Sequence, residues 1–176
     1  MKKTLIGLSL LALLFPGASF AAEKTKELFE LKSYPVNSLN EIISKIKQIQ
    51  IDEQVSSDGK ASLKIKATEP LVINLFKTGD IDIEDAKLIY KAKIKTENFK
   101  GQAYLEMWCG FDGKGRFFSR DLASPVKGNT KGWIQEETPF FLKKGENPND
   151  VELNLVINGT GTVWIDDVKL VKAPLK

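Results

Sequence analysis

The chain has 176 residues, one cysteine, no histidine and a formal charge of +3, with 28% charged and 42% apolar residues. That length and balance suit a single domain with a full hydrophobic core. The missing histidine excludes His-ligated metal centres and Ser-His or Cys-His catalysis, and the lone Cys109 excludes an internal disulfide.

The N-terminus reads as an export signal. Lys2 and Lys3 precede an apolar run from Leu5 to Phe15, Pro16-Gly17 breaks it, and Ser19-Phe-Ala21 has the small-x-small form of a cleavage site. The run is too short to span a bilayer, and no later segment approaches that length. No cysteine lies near the cut, which argues against a lipid anchor. The expectation is an exported bacterial protein, periplasmic or secreted, with residues 1–21 as signal peptide and 22–176 as one mature domain. Losing Lys2 and Lys3 lowers the formal charge from +3 to +1. No basic field then points to nucleic acid, and the dispersed lysines read as a solvated face.

After a charged lead-in from Glu23 to Glu27, Phe29 to Val36 suits a short strand. Ser38-Leu39-Asn40-Glu41 has the form of a capping box. Leu39, Ile42, Ile43 and Ile46 follow at helical spacing, which predicts one or two helical turns. From Ile49 the period becomes two, with Ile49 and Ile51 on one face. Ala61, Leu63, Ile65 and Ala67 alternate with Ser62, Lys64 and Lys66. Leu71, Ile73 and Leu75 alternate with Val72, Asn74 and Phe76. Leu88, Tyr90, Ala92 and Ile94 alternate mostly with lysine. Leu105, Met107, Cys109 and Phe111 alternate with Tyr104, Glu106 and Trp108. Val151, Leu153, Leu155 and Ile157 alternate with Glu152, Asn154, Val156 and Asn158. Each reads as a half-buried strand.

Turn residues separate these strands at Asp58-Gly59, Thr78-Gly-Asp80, Lys100-Gly101, Asp112-Gly-Lys-Gly115, Lys127-Gly-Asn129 and Asn158-Gly159. Asn158-Gly-Thr160 also has the form of a glycosylation sequon, but a hairpin turn is the simpler reading in a bacterial chain. In the last strand Val163 and Ile165 are odd while Val168 and Leu170 are even. That phase slip requires an extra residue, a bulge at Asp166-Asp167. Short strands at this spacing, with a single helical pattern, mean an all-β sandwich or barrel.

A Gly59-Lys-Ala-Ser-Leu-Lys-Ile65 strand leads to Tyr90-Lys-Ala-Lys-Ile-Lys-Thr96. Gly101-Gln-Ala-Tyr-Leu105, a Lys131-Gly-Trp133 strand start and Gly161-Thr-Val-Trp-Ile-Asp-Asp-Val168 follow. In this order the pieces, from about Asp58 to Leu170, resemble galactose-binding-like jelly-roll domains, which include many secreted carbohydrate-binding modules. The Phe-Glu and Gly-rich opening common in such modules is reduced here to Phe29-Glu30. The resemblance implies a two-sheet antiparallel β-sandwich over about 46–172, behind the short N-terminal helix. It also implies a poly- or oligosaccharide ligand and a structural calcium ligated by Asp166 or Asp167 with loop carbonyls. On the residues alone, the two aspartates suit capping of backbone amides at the bulge, an ordinary role for aspartate. Two adjacent carboxylates are an incomplete set for an ion that takes six to eight oxygens.

A sugar-binding face needs flat aromatic rings edged by planar polar groups. The outward side of the 104–111 strand carries Tyr104, Glu106 and Trp108 at spacing two. Across a hairpin at 112–115, Arg116, Arg120 and either Phe117 or Phe118 would join them. The alternative is that a loop or the N-terminal segment covers Tyr104 and Trp108. Trp133 and Trp164 read as packing residues, and Cys109 as a buried free thiol. Glu136 and Glu137 point to opposite faces and cannot flank one bond, while Glu106 with Asp121 or Glu152 has no motif behind it. No catalytic residue is expected, so the protein is not read as an enzyme. Two functions stand side by side: a non-catalytic carbohydrate-binding module, and a structural or protein-interaction domain of the cell envelope, partnered by an envelope protein and without a sugar site.

Overall fold

The period-two alternation becomes nine strands in the computed structural model, which describes residues 28–79 and 81–175. The signal segment, the charged lead-in and Asp80 lie outside the described residues. The strands are β1 Phe29–Tyr34, β2 Ile49–Asp52, β3 Ser62–Ala67, β4 Leu71–Thr78, β5 Ala86–Phe111, β6 Gly115–Arg120, β7 Val126–Lys127, β8 Ile134–Leu142 and β9 Asp150–Ala173. Every pairing between them is antiparallel. Among the described residues there is no helix, and none long and apolar enough to cross a membrane.

Two long strands organise the whole. β5 and β9 pair from Lys87↔Ala173 to Gly110↔Asp150. The first half of β5 lies between β8 and the end of β9, whose far side takes β1 and β3, with β2 beyond. The second half lies between β6 and the start of β9, whose far side takes β4. Inward residues of both halves enter one buried cluster, among them Leu88, Tyr90 and Ile94 from the first and Leu105, Met107 and Leu155 from the second. Leu63, Ile65, Leu153, Ile165 and Val168 are fully buried with them, on the faces that alternation assigns. Each such side chain contributes about 1.5–3 kcal/mol by leaving water.

Three expectations are corrected. Lys100-Gly101 and Asn158-Gly159 are not hairpin turns: they lie in mid-strand, and Gly101 pairs with Gly159. A Cβ on Gly101 would overlap the Asn158 carbonyl oxygen, and one on Gly159 the Lys100 carbonyl oxygen. Glycine serves close backbone approach at a bend here, not chain reversal. The helix is also absent, because the 38–46 segment finds other partners. Ser38 Oγ accepts the Asn40 N–H in a local turn. The N–H groups of Ile43 and Ser44 donate to the Leu75 and Asn74 carbonyls at 3.1 and 2.9 Å, and Ser44 Oγ accepts the Asn74 N–H at 2.9 Å. One or two isolated turns do not overcome the cost of helix nucleation, whereas the free edge of β4 supplies hydrogen bonds directly. Ile42 is buried but Ile43 and Ile46 are exposed, so the helical spacing is not the packing pattern.

The closing bulge falls where the phase slip requires it. Lys91 pairs with Lys169 but Lys93 with Asp166, leaving an extra residue on β9, and Asp167 takes a left-handed φ of 52°.

Candidate ligand-binding face

The β5–β6 hairpin turns at Asp112-Gly113-Lys114, where Gly113 and Gly115 supply positive φ and the Lys114 N–H donates to the Phe111 carbonyl at 3.1 Å. This turn fixes the register Glu106↔Arg120, Trp108↔Phe118 and Gly110↔Arg116. β9 places Val156, Asn154 and Glu152 beside Tyr104, Glu106 and Trp108. The five residues expected from sequence therefore share one sheet face. The open choice between the two phenylalanines resolves to Phe118, since Phe117 falls opposite Cys109 and leaves the other side. Among the described residues, β1 pairs with the end of β9 and Ile43 and Ser44 lie along the edge of β4, and Tyr104 and Trp108 are both partly exposed.

Glu106 is the hub of this face, and it is only 4% exposed. Its Oε1 accepts the Trp108 indole N–H at 2.8 Å and an Asn154 amide N–H at 3.1 Å, and its Oε2 accepts the Arg120 Nε–H. Burial pushes the carboxyl up. The Trp108, Asn154 and Arg120 donors, with the Arg120 charge, outweigh burial and hold it below the usual range. Glu106 is thus an ionised positioning group with its oxygens engaged, unsuited to act as a general acid. Its grip sets the Trp108 ring, whose centroid lies 5.0 Å from that of Phe118 at 52°. The Arg116 guanidinium lies 5.5 Å from the Trp108 centroid and that of Arg120 4.2 Å from the Phe118 centroid. Arg116 is in turn anchored by Glu152 at 2.9 Å and Asp150 at 3.5 Å. Two held rings with guanidinium edges can stack on a flat apolar ligand face and donate hydrogen bonds around it.

Sequence reasoning left Asn154 out of this face and named Glu152 only as an acid partner of Glu106 with no motif behind it. Their alternation with Leu153 and Leu155 places them outward, but only the β5–β9 register sets them beside Glu106 and Trp108. It also missed a groove of about 230 Å³ lined by Phe111, Phe117 and Phe140 with Lys114 and Glu146. A third feature unseen in sequence is Glu136, 5% exposed on the inner side of β8, with Asp121 beside it. Burial first, then the Asp121 charge, pushes its carboxyl up to about 7.

The closing aspartates have other partners than a metal. Asp166 Oδ2 accepts the Ser57 N–H and Oδ1 the Asp167 N–H, each at 2.7 Å. Asp167 sits between the Lys93 and Lys169 ammoniums at 3.2 and 3.0 Å. Among the described residues no three Asp, Glu or Cys side chains converge in a metal-holding group. This donor set does not fit calcium, which takes six to eight oxygens; amides occupy one carboxylate and ammoniums the other. Trp164 is buried, its N–H donating to Asp52 Oδ2 at 3.0 Å. That bond above all holds the Asp52 carboxyl down at about 2. Trp133 is half-buried and donates to the Ser56 carbonyl at 3.2 Å. Cys109 is a free, fully buried thiol, pushed up to about 12 by burial.

No family model matches the chain and no curated protein matches it in sequence. Solved structures do match. One is the CBM22-1–GH10 portion of xylanase 10B from Clostridium thermocellum, complexed with xylohexaose: TM-score 0.59, 10% identity, 82% of this chain and 28% of that chain covered. This chain therefore spans just over a quarter of the xylanase structure. The CBM22-1 xylan-binding domain of Paenibacillus barcinonensis Xyn10C matches at TM-score 0.55 and 13% identity, over 88% of this chain and 100% of that one. A Stig cyclase, Fisc from Fischerella sp. TAU, matches at TM-score 0.53 and 11% identity, over 82% and 86%. Carbohydrate-binding modules are thus among its structural neighbours, and in fold the chain is similar to them.

Proposed function

We propose that the chain is an exported, non-catalytic binding module of jelly-roll sandwich form, whose Tyr104–Trp108 face takes a poly- or oligosaccharide. The observation that carries this reading is the Trp108 ring, held by Glu106 and set 5.0 Å from a half-exposed Phe118. Pre-set rings lose little freedom on binding, which favours affinity. The ionised state of Glu106 and the absence of histidine support binding without turnover. The fold likeness to xylan-binding domains makes xylan the first probe; the likeness to a cyclase concerns the fold alone.

The test is a native gel containing soluble xylan, repeated with mixed-linkage glucan. Wild type should be retarded, and Trp108→Ala should migrate as in a sugar-free gel while keeping its circular dichroism. Equal retardation of both proteins would remove this face. A second reading, an envelope protein-interaction domain, draws on the exposed Phe117, Phe118 and Leu122 around the same strand. It gains if no polysaccharide retards the wild type.

A further inference from the structure

β6 is held at its end from two sides. On the outer side Arg120 grips Glu106. On the inner side Asp121, the next residue, lies within hydrogen-bonding reach of Glu136. Asp121 is also tied to β5, its N–H donating to the Leu105 carbonyl at 3.3 Å, one residue from Glu106. Glu136 has a buried Oε2 with no hydrogen-bond donor among the described residues. A buried carboxylate so placed, with a second carboxylate beside it, is costly when ionised and comfortable when one proton is shared.

Among the described residues no cation relieves it. Lys91 and Lys93 flank Ala92, the β5 residue opposite Glu136, but they leave the other face and pair with Glu137 and Asp167. The inner neighbours along the seam, Ser119 and Thr138, are neutral and bonded to each other at 2.7 Å. The Gln135 amide donates to backbone carbonyls of Ala92 and Glu136. Among the described residues, Asp121 is the charged group that bears on the Glu136 carboxyl.

We propose that Glu136 carries a proton that it donates to Asp121, and that loss of this proton displaces Asp121 and with it the adjacent Arg120, loosening the Trp108 face. In the protonated state the Glu136 carboxyl O–H donates to an Asp121 carboxylate oxygen and β6 is clamped. Deprotonation releases a single proton to solvent and leaves two carboxylates in contact. Asp121, half-exposed and held on its solvent side by the Ser124 N–H donating to its Oδ1 at 3.1 Å, is the one at the surface and swings out toward water. Arg120 follows, and Glu106 loses one of its three donors. The raised Glu136 value places this change near neutral pH. As a regulation of ligand binding the inference rests on the function proposed above; the movement of Arg120 does not.

The experiment therefore reads Arg120 without ligand. In ¹⁵N- and ¹³C-labelled protein, the Arg120 Nε–H hydrogen exchange and the Glu136 carboxyl carbon are followed from about pH 5 to 8. The Glu136 carbon should titrate near neutrality. At about pH 8 the Arg120 Nε–H should exchange at least ten-fold faster in wild type than in Glu136→Gln at the same pH, with Asp121→Asn as a second protected variant. A Glu136 carbon that titrates in the ordinary carboxylate range would overturn the proposal. So would Arg120 exchange that is equal in wild type and both variants. Xylan binding by the same samples then separates the two claims. A pH-dependent Arg120 without retardation sinks only the saccharide reading.

Discussion

Gly101 and Gly159 face each other at the bend where β5 and β9 turn from one half of the fold to the other. Each lies against the partner strand's backbone, and Gly101 also has a φ of 127°. An alanine there must push two strands apart at the point on which both halves hinge. Gly101→Ala and Gly159→Ala should each cost about 3 kcal/mol or more in urea unfolding. Gly79 has open space around it, and Gly79→Ala should stay within about 0.5 kcal/mol. Equal, small losses at all three positions would show that the strands part easily at the bend.

Cys109 reports the register of the strand that carries the candidate face. It alternates with Glu106 and Trp108, so those residues point outward only if the thiol is in the core. Burial raises the thiol to about 12 and removes it from solvent, so both thiolate fraction and access are low. Labelling with a thiol reagent should be slow in the native protein and accelerate by orders of magnitude in denaturant. Fast native labelling would mean that the strand is rotated and the face dissolved.

The alternation of single strands was legible in the sequence because each strand has one dry side: the inward set Leu63, Ile65, Leu105, Met107, Leu153 and Leu155 follows from period two alone. The slip from Ile165 to Val168 likewise encodes the bulge. Gly101 and Gly159 misled because glycine marks both a reversal and a close crossing, and only the opposing strand distinguishes them. The capping-box pattern at Ser38 misled because the β4 edge competes for the same amides. For the candidate face, spacing two gathered Tyr104, Glu106 and Trp108. The role of Glu106 was invisible, since its burial depends on Asn154 and Arg120, 48 and 14 residues away.

The closing bulge should be indifferent to chelators. Asp166 binds two backbone amides and Asp167 two lysines, so removal of divalent ions takes nothing from the native state. Melting curves with and without a chelator should coincide, since only a ligand bound by the folded form raises its stability. Asp166→Ala should still lower stability by roughly 1–3 kcal/mol, because the Ser57 and Asp167 amides lose their acceptor. A melting temperature that falls on chelation, in wild type but not in Asp166→Ala, would restore calcium to this site.

Two carboxyls bend the stability curve in opposite directions. Asp52 is lowered from 3.8 to about 2 by the Trp164 N–H and Lys64. Its contribution is complete above the unfolded value and is lost as pH falls through about 2. Glu136 is raised from 4.5 to about 7. The folded state binds its proton more tightly than the unfolded state does. Its contribution is therefore complete below 4.5 and is lost as pH rises through about 7. Urea midpoints from about pH 2 to 8 should form a dome, to whose acid limb Glu106 and Asp167, both held low, also contribute. Asp52→Asn should flatten part of the acid limb and leave the neutral one. Glu136→Gln should flatten the neutral limb and leave the acid one, making the variant the more stable protein at about pH 8. A wild-type slope between about pH 5 and 7 that persists in Glu136→Gln would assign the neutral limb to another group.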